Sequence, residues 1–74
     1  MPKFITLTGD SDGAVALVPL DGTVFYKHDD HDVTVCAIAQ NERVRSITVR
    51  ETVQQIAVAI EDAAEAGRTV VMLA

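Results

Sequence analysis

The stretch TVQQIAVAIEDAAEAG, residues 52–67, decides the fold class of this 74-residue chain. It opens with a capping box, in which the Thr52 hydroxyl accepts the Gln55 amide proton and the Gln55 side chain reaches back to residue 52. Apolar side chains then recur at helical spacing, at Val53, Ile56, Ala57, Ile60 and Ala64. Gly67 suits the left-handed position that ends a helix. The sequence therefore predicts a helix over Val53–Ala66.

Short β-branched and aromatic runs flank this helix on both sides. The predicted strands are Phe4–Thr8, Ala14–Leu20, Thr23–His28, Val33–Ala39 and Arg43–Val49 before it, and Thr69–Leu73 after it. Asp21-Gly22 predicts a tight hairpin that sets Leu17 opposite Tyr26, because Asp-Gly favours the turn with positive φ at both central residues. Pro19 has no N–H to donate, so its strand is predicted to lie at an edge or to end at a bulge.

A three-residue turn, residues 40–42, is predicted between the next two strands, which sets Ala37 opposite Arg45 and Val35 opposite Ile47. Both hairpins then carry apolar residues on both faces, whereas a sheet with one face in water alternates between apolar and polar residues. The helix covers one side, so barrel closure or a second copy of the chain must cover the other. We predict a single α+β domain over residues 1–74, a small antiparallel β-meander or partly closed barrel-like sheet of 5–6 strands.

Composition and charge narrow the range of functions. The chain has a net charge of −5, and a polyanion such as DNA attracts proteins with clustered Lys and Arg, so nucleic-acid binding is disfavoured. No apolar run approaches the roughly 20 residues of a membrane span, and no signal-peptide pattern opens the sequence. The single Cys36 lies in an apolar run, which predicts a small buried hydrophobe in a reducing cytoplasm.

Several short motifs occur in an order that resembles the FlbD/SwrD-like family of small bacterial, flagellar-associated proteins. An "I-x-L-T" strand and glycine turn come first, and "V-x-E-[ST]-x-x-x-[IV]" leads into the helix. The matching residues are Ile5, Leu7, Thr8, Val49, Glu51, Thr52 and Ile56. The resemblance spans about residues 4–60 and implies a shared fold and a non-catalytic interaction protein. The HDDHD stretch, the alanine-rich helix and the TVVML strand depart from the family pattern.

The stretch KHDDHD, residues 27–32, concentrates polar side chains between two predicted strands. His28 and His31 with Asp29, Asp30 and Asp32 offer imidazole and carboxylate ligands of the kind that bind zinc. Their convergence is not assured in a loop, so a solvated acidic connector is the main interpretation. A partner contact, a metal site and a pH-responsive element are the alternatives. The sequence thus predicts no bound metal, and it names His28 and His31 as the candidates if one binds.

Two other charged stretches have structural interpretations. The aspartates of DSDG, residues 10–13, are typical of a turn in which carboxylates accept hydrogen bonds from nearby amides. Arg43, Arg45 and Arg50 form a basic strip with no acid within residues 43–50, and Arg43 and Arg45 are predicted to share a strand face over Ala39 and Ala37. Charge that protects a strand edge is the simplest interpretation of the strip, and a protein or nucleic-acid contact is the alternative.

No catalytic motif is found: the chain has no phosphate-binding glycine loop, no nucleophile elbow and no zinc-protease helix. We predict a cytoplasmic, non-catalytic protein–protein interaction module without a cofactor, which forms a homodimer and contacts a bacterial or host protein. The alternatives are a nucleic-acid-linked regulator that uses the arginine strip and a phage-encoded acidic inhibitor or decoy. The predicted contact residues are Arg43, Arg45, Arg50, Asp29, Asp30, Asp32, Val58, Val70 and Val71.

Overall fold

The computed structural model describes residues 1–28 and 33–74 and has an α+β fold. The predictions on Asp29, Asp30, His31 and Asp32 lie outside these residues. The elements are β1 (Phe4–Thr8), β2 (Val15–Pro19), β3 (Thr23–Lys27), β4 (Thr34–Gln40), β5 (Arg43–Val49), α1 (Val53–Glu65) and β6 (Val70–Met72). All six predicted strands and the predicted helix are thus confirmed, to within one residue at each end.

The described strands form two sheets instead of one meander. The first sheet has the order β2-β1-β6, and the second has the order β3-β4-β5. The predicted hairpin across Asp21-Gly22 is wrong, because Leu17 pairs with Thr6 of β1 and Tyr26 pairs with Val35 of β4. Gly22 has φ 78°, but Asp21 is not among the residues with positive φ, so this turn passes the chain from one sheet to the other.

The hairpin between β4 and β5 is confirmed, but its register differs from the predicted one. The turn is Asn41-Glu42, with φ 51° and 64°, and Gln40 pairs with Arg43. These are the two positive φ values of a tight two-residue hairpin turn. A loop one residue shorter than predicted moves side chains to the other face of the sheet. Cys36 therefore lies opposite Ile47, and the predicted pairing of Val35 with Ile47 and of Ala37 with Arg45 is wrong.

One core joins the two sheets and the helix. Each sheet has an inner face toward this core and an outer face away from it. The core comprises Ile5, Leu7 and Val18 of the first sheet, Cys36 and Val49 of the second, Ile56 and Ala63 of α1, and Val71 of β6. Most of these side chains are aliphatic and none is aromatic, which matches a chain with only two phenylalanines and one tyrosine. Phe25 packs at the margin.

Helix α1 begins and ends as the sequence predicts, apart from one residue. The Gln55 N–H donates to Thr52 Oγ1 at 3.1 Å, and the Thr52 N–H donates to Gln55 Oε1 at 2.8 Å, which confirms the capping box. Ala66 is the C-cap, and the N–H groups of Gly67 and Arg68 donate to carbonyls of the last turn. This is the Schellman arrangement, in which the residue after the cap takes positive φ; Gly67 has φ 69°.

The buried face of α1 differs from the predicted stripe. Ile56 and Ala63 are buried, and Ala59 and Ile60 pack against the core. Ala57 and Ala64, predicted to be in the stripe, are exposed. The helix contacts β6 of the first sheet and β3 of the second, so its buried face is set by both sheets together and not by hydrophobic spacing alone.

Strand β1 uses one of its edges for two different neighbours. Its first three residues pair in parallel with β6, and Gly9, just beyond its end, bridges to Val49 of β5. Between these two contacts, the Thr8 N–H donates to both carboxylate oxygens of Glu51, at 2.8 and 3.1 Å. Glu51 therefore accepts the hydrogen bond that a neighbouring strand would otherwise accept. It does so in the gap between β6 and the end of β5 along this edge of β1.

We predict that Glu51→Ala destabilises the fold, because it leaves the partly buried Thr8 N–H without an acceptor. The expected loss in the free energy of unfolding is about 1–3 kcal/mol, measured by urea denaturation. Glu61→Ala, which removes an exposed glutamate from α1, is the control and should change that energy by no more than about 0.5 kcal/mol. Equal effects of the two substitutions would show that the Glu51–Thr8 contact does not stabilise the sheet.

We further predict that Glu42→Gly stabilises the protein, because a glutamate at φ 64° carries a conformational cost that glycine avoids. The gain is expected to be a few tenths to about 1 kcal/mol, since glycine also adds freedom to the unfolded chain. Glu42→Ala removes the same charge without relieving the backbone, so its unfolding midpoint should not rise. If Glu42→Ala stabilises the protein as much as Glu42→Gly does, the loss of the charge and not the relief of the backbone would explain the gain.

Candidate interaction surface

The predicted basic strip is split in the structure. Arg43 pairs with Gln40 and Arg45 with Ile38, so the predicted position of these arginines over Ala39 and Ala37 is wrong. Arg50 lies beyond the opposite end of β5, roughly 20 Å from Arg43 at the usual rise of a strand. Its guanidinium lies over Gly13, where an added Cβ would be 3.4 Å from Arg50 Nη2. The three arginines do not form one patch.

Of the stretch KHDDHD, residues 27–32, the structure describes Lys27 and His28. His28 is exposed at the end of β3, and its N–H donates to the Val33 carbonyl at 3.1 Å. Its possible metal partners Asp29, Asp30, His31 and Asp32 lie outside the described residues. Within residues 1–28 and 33–74, no group of three or more His, Cys, Asp and Glu side chains is arranged to hold a metal ion. No helix in those ranges has the length and apolar character needed to cross a membrane.

The turn over residues 10–13 forms as predicted. The Ala14 N–H donates to Asp12 Oδ1 at 3.0 Å, and Gly13 takes φ 71°. An aspartate that accepts a hydrogen bond from an amide two residues on is the expected chemistry of such a turn. The Asp12 side chain therefore has a structural role in the turn that joins β1 to β2.

A groove runs between α1 and β6, and apolar, polar and charged side chains all line it. One part, of about 380 Å³, is lined by Ala59, Asp62, Ala63, Ala66, Arg68 and β6 itself. The other part, of about 450 Å³, is lined by Thr52, Gln54, Gln55, Val58, Ala59, Asp62 and Leu73. Because Ala59 and Asp62 line both parts, the groove is continuous along the helix. We call it the α1/β6 groove.

The predicted contact residues on these elements have different positions. Val58 is 51% exposed and lines the α1/β6 groove, as a partner-contact residue requires. Val70 is half-buried and lines the groove from β6. Val71 is only 3% exposed because its side chain belongs to the core, so it cannot present that side chain to a partner. Its neighbour Met72 is 67% exposed and was not singled out from the sequence.

The outer faces of both sheets are free of charged side chains. In the first sheet the strand pairing places Phe4, Thr6, Thr8, Val15, Leu17, Pro19, Val70 and Met72 on this face. In the second sheet it places Val24, Tyr26, Val35, Ala37, Ala39, Val44, Ser46 and Thr48 there. Leu17 is 60% exposed and Val44 is 70% exposed. The predicted excess of apolar residues on two faces is thus confirmed, and α1 covers only the inner faces.

Cys36 is fully buried on the inner face of the second sheet. Burial raises the pKa of its thiol, because the thiolate would lose its hydration. A thiol that stays protonated and covered is a poor nucleophile, which confirms the predicted role of a small core residue.

We predict that native Cys36 resists alkylation by iodoacetamide at pH 8, whereas the urea-unfolded chain reacts readily. Reaction of the native protein should be much slower, because it requires both local opening and loss of a proton from a thiol with a raised pKa. Mass spectrometry after timed quenching measures the rate. Comparable rates for native and unfolded protein would contradict the burial of this residue.

No family model matches this chain, and no curated protein and no solved structure is significantly similar to it. The resemblance to the FlbD/SwrD-like family therefore stays a prediction. The matching residues have structural roles in this fold: Ile5, Leu7, Val49 and Ile56 lie in the core, Thr52 caps α1, and Glu51 accepts a hydrogen bond from the Thr8 N–H.

Proposed function

We propose that this chain is a non-catalytic protein–protein interaction module that forms a homodimer. The observation that supports it best is the α1/β6 groove, where the exposed Val58 lies on α1 and the exposed Met72 lies on the short edge strand β6. Apolar side chains beside an open strand edge are the surfaces by which small domains associate. A cytoplasmic accessory or regulatory protein, as in the FlbD/SwrD-like family, fits this proposal.

The small size of the domain also favours association. A chain of 74 residues buries a limited share of its surface, and here a single described helix covers only the inner faces of two sheets. Exposed residues such as Leu17 and Val44 remain on uncharged outer faces. A partner that covers part of this surface adds burial that the isolated chain does not achieve. The non-catalytic part of the proposal rests on the missing catalytic motifs and on the buried thiol.

The two alternative functions have less support from the described residues. A nucleic-acid regulator needs its cations side by side to release counterions, and Arg50 lies far from Arg43. An acidic decoy would use Asp10, Asp12 and the aspartates of residues 29–32, the latter outside the described residues. Binding by a decoy would weaken strongly with salt, whereas apolar association would not.

Light scattering coupled to size-exclusion chromatography tests the homodimer. At micromolar concentration we expect a mass of twice 7.9 kDa. The dimer should persist in about 0.5 M NaCl, because salt at that concentration screens surface charges but leaves apolar association in place. A mass of one chain at every concentration up to the millimolar range would contradict the proposal. A dimer that dissociates in salt would instead favour association through charge.

A further inference from the structure

We infer that the homodimer forms by antiparallel pairing of β6 with β6 of a second copy, about a two-fold axis at Val71. This inference rests on the proposed function and identifies the surface that serves it. It joins the two first sheets into one sheet of order β2-β1-β6-β6-β1-β2.

The backbone of β6 directs two residues away from β1. The N–H groups of Lys3 and Phe4 donate to the Thr69 carbonyl, so Thr69 faces β1. Successive residues of a strand direct their N–H and C=O groups to alternate edges, so Val71 also faces β1. Val70 and Met72 then direct their N–H and C=O groups to the free edge of the sheet. An edge with unpaired donors and acceptors is a template for another strand.

The spacing of these two residues makes the edge complementary to itself. A two-fold axis at Val71 sets Val70 of one copy opposite Met72 of the other. In antiparallel pairing such residues exchange both N–H···O bonds, and the symmetry repeats the pair on the other side of the axis. A second copy of this strand therefore satisfies the groups that the first copy leaves open.

The surroundings of β6 are compatible with a second copy. The outer face of the first sheet carries no charged side chain, so pairing at this edge brings no like charges together on that face. The groove beside β6 holds one acid and one base, Asp62 and Arg68, and two such grooves do not repel as two acidic surfaces would. Exposed Val58 on α1 gains apolar contact when the helices approach.

Amide hydrogen exchange, followed residue by residue by NMR, tests the pairing in the full chain. The Val70 and Met72 amides should exchange about tenfold or more slowly at concentrations where the chain is dimeric than where it is monomeric, because pairing replaces their contact with water. Protection that is independent of concentration would mean that these amides are already covered in the single chain. It would overturn the inference.

A substitution pair isolates the backbone contribution. Met72→Pro removes an N–H that points away from β1, so the monomer should stay folded. The dimer dissociation constant should rise about tenfold or more, because the two-fold symmetry removes the same hydrogen bond twice. Met72→Ala shortens the side chain but keeps the N–H, and should weaken the dimer less. Circular dichroism checks that both variants keep their fold.

The outcomes separate the inference from the proposed function. A dimer that survives Met72→Pro, with freely exchanging Val70 and Met72 amides, would overturn the pairing of β6 but leave the homodimer in place. A chain that is monomeric at all concentrations would overturn the homodimer and the pairing with it. If Met72→Pro unfolds the chain, the exchange measurement on the natural sequence decides alone.

Discussion

Parallel pairing of β6 with β1 is the contact on which the remaining structure depends. It returns the chain to the first sheet immediately after α1, so the helix must lie along β6 and close the space toward β3. It also commits β1 to two neighbours on one edge, and the short gap between them is filled by the carboxylate of Glu51. The same pairing leaves the other edge of β6 open beside the α1/β6 groove.

The inner faces of both sheets contribute to one core, whereas the outer faces keep exposed apolar residues, although Thr6 and Val35 on those faces are buried. A sheet that is covered on one side normally turns polar residues to water. Here the outer faces carry Leu17, Val44 and other uncharged residues, and the charged side chains are concentrated in turns, in α1 and near strand ends. Pairing through β6 would join two copies of the first sheet's outer face into a larger uncharged surface. Such a surface suits a further protein partner.

Local features of this fold could be predicted from the sequence, whereas the pairing of strands could not. The capping box at Thr52 and the glycine at position 67 define helix α1 by nearby hydrogen bonds, which depend on a few consecutive residues. The Asp21-Gly22 dipeptide favours a hairpin by its local conformation, but the strands on its two sides belong to different sheets, with Val18 in the shared core and Phe25 at its margin. In the β4–β5 hairpin, one residue of turn length changed which residues of the two strands lie opposite each other.

The candidate surface was only partly predictable for a similar reason. Val58 stands off the apolar stripe of α1, and this periodicity identified it as exposed. In TVVML, the sequence cannot distinguish Val71 from its neighbours, because which residues face inward depends on the pairing with β1. The arginines are close in sequence, yet an extended strand separates Arg43 from Arg50.

Isotope-filtered NOE spectroscopy on a mixture of labelled and unlabelled chains tests the central claim most directly, since it reports contacts between copies only. If β6 pairs with β6 of a second copy, intermolecular cross-peaks appear between Val70 of one chain and Met72 of the other. Intermolecular cross-peaks confined to outer-face residues such as Leu17 or Val44, with none from β6, would contradict it.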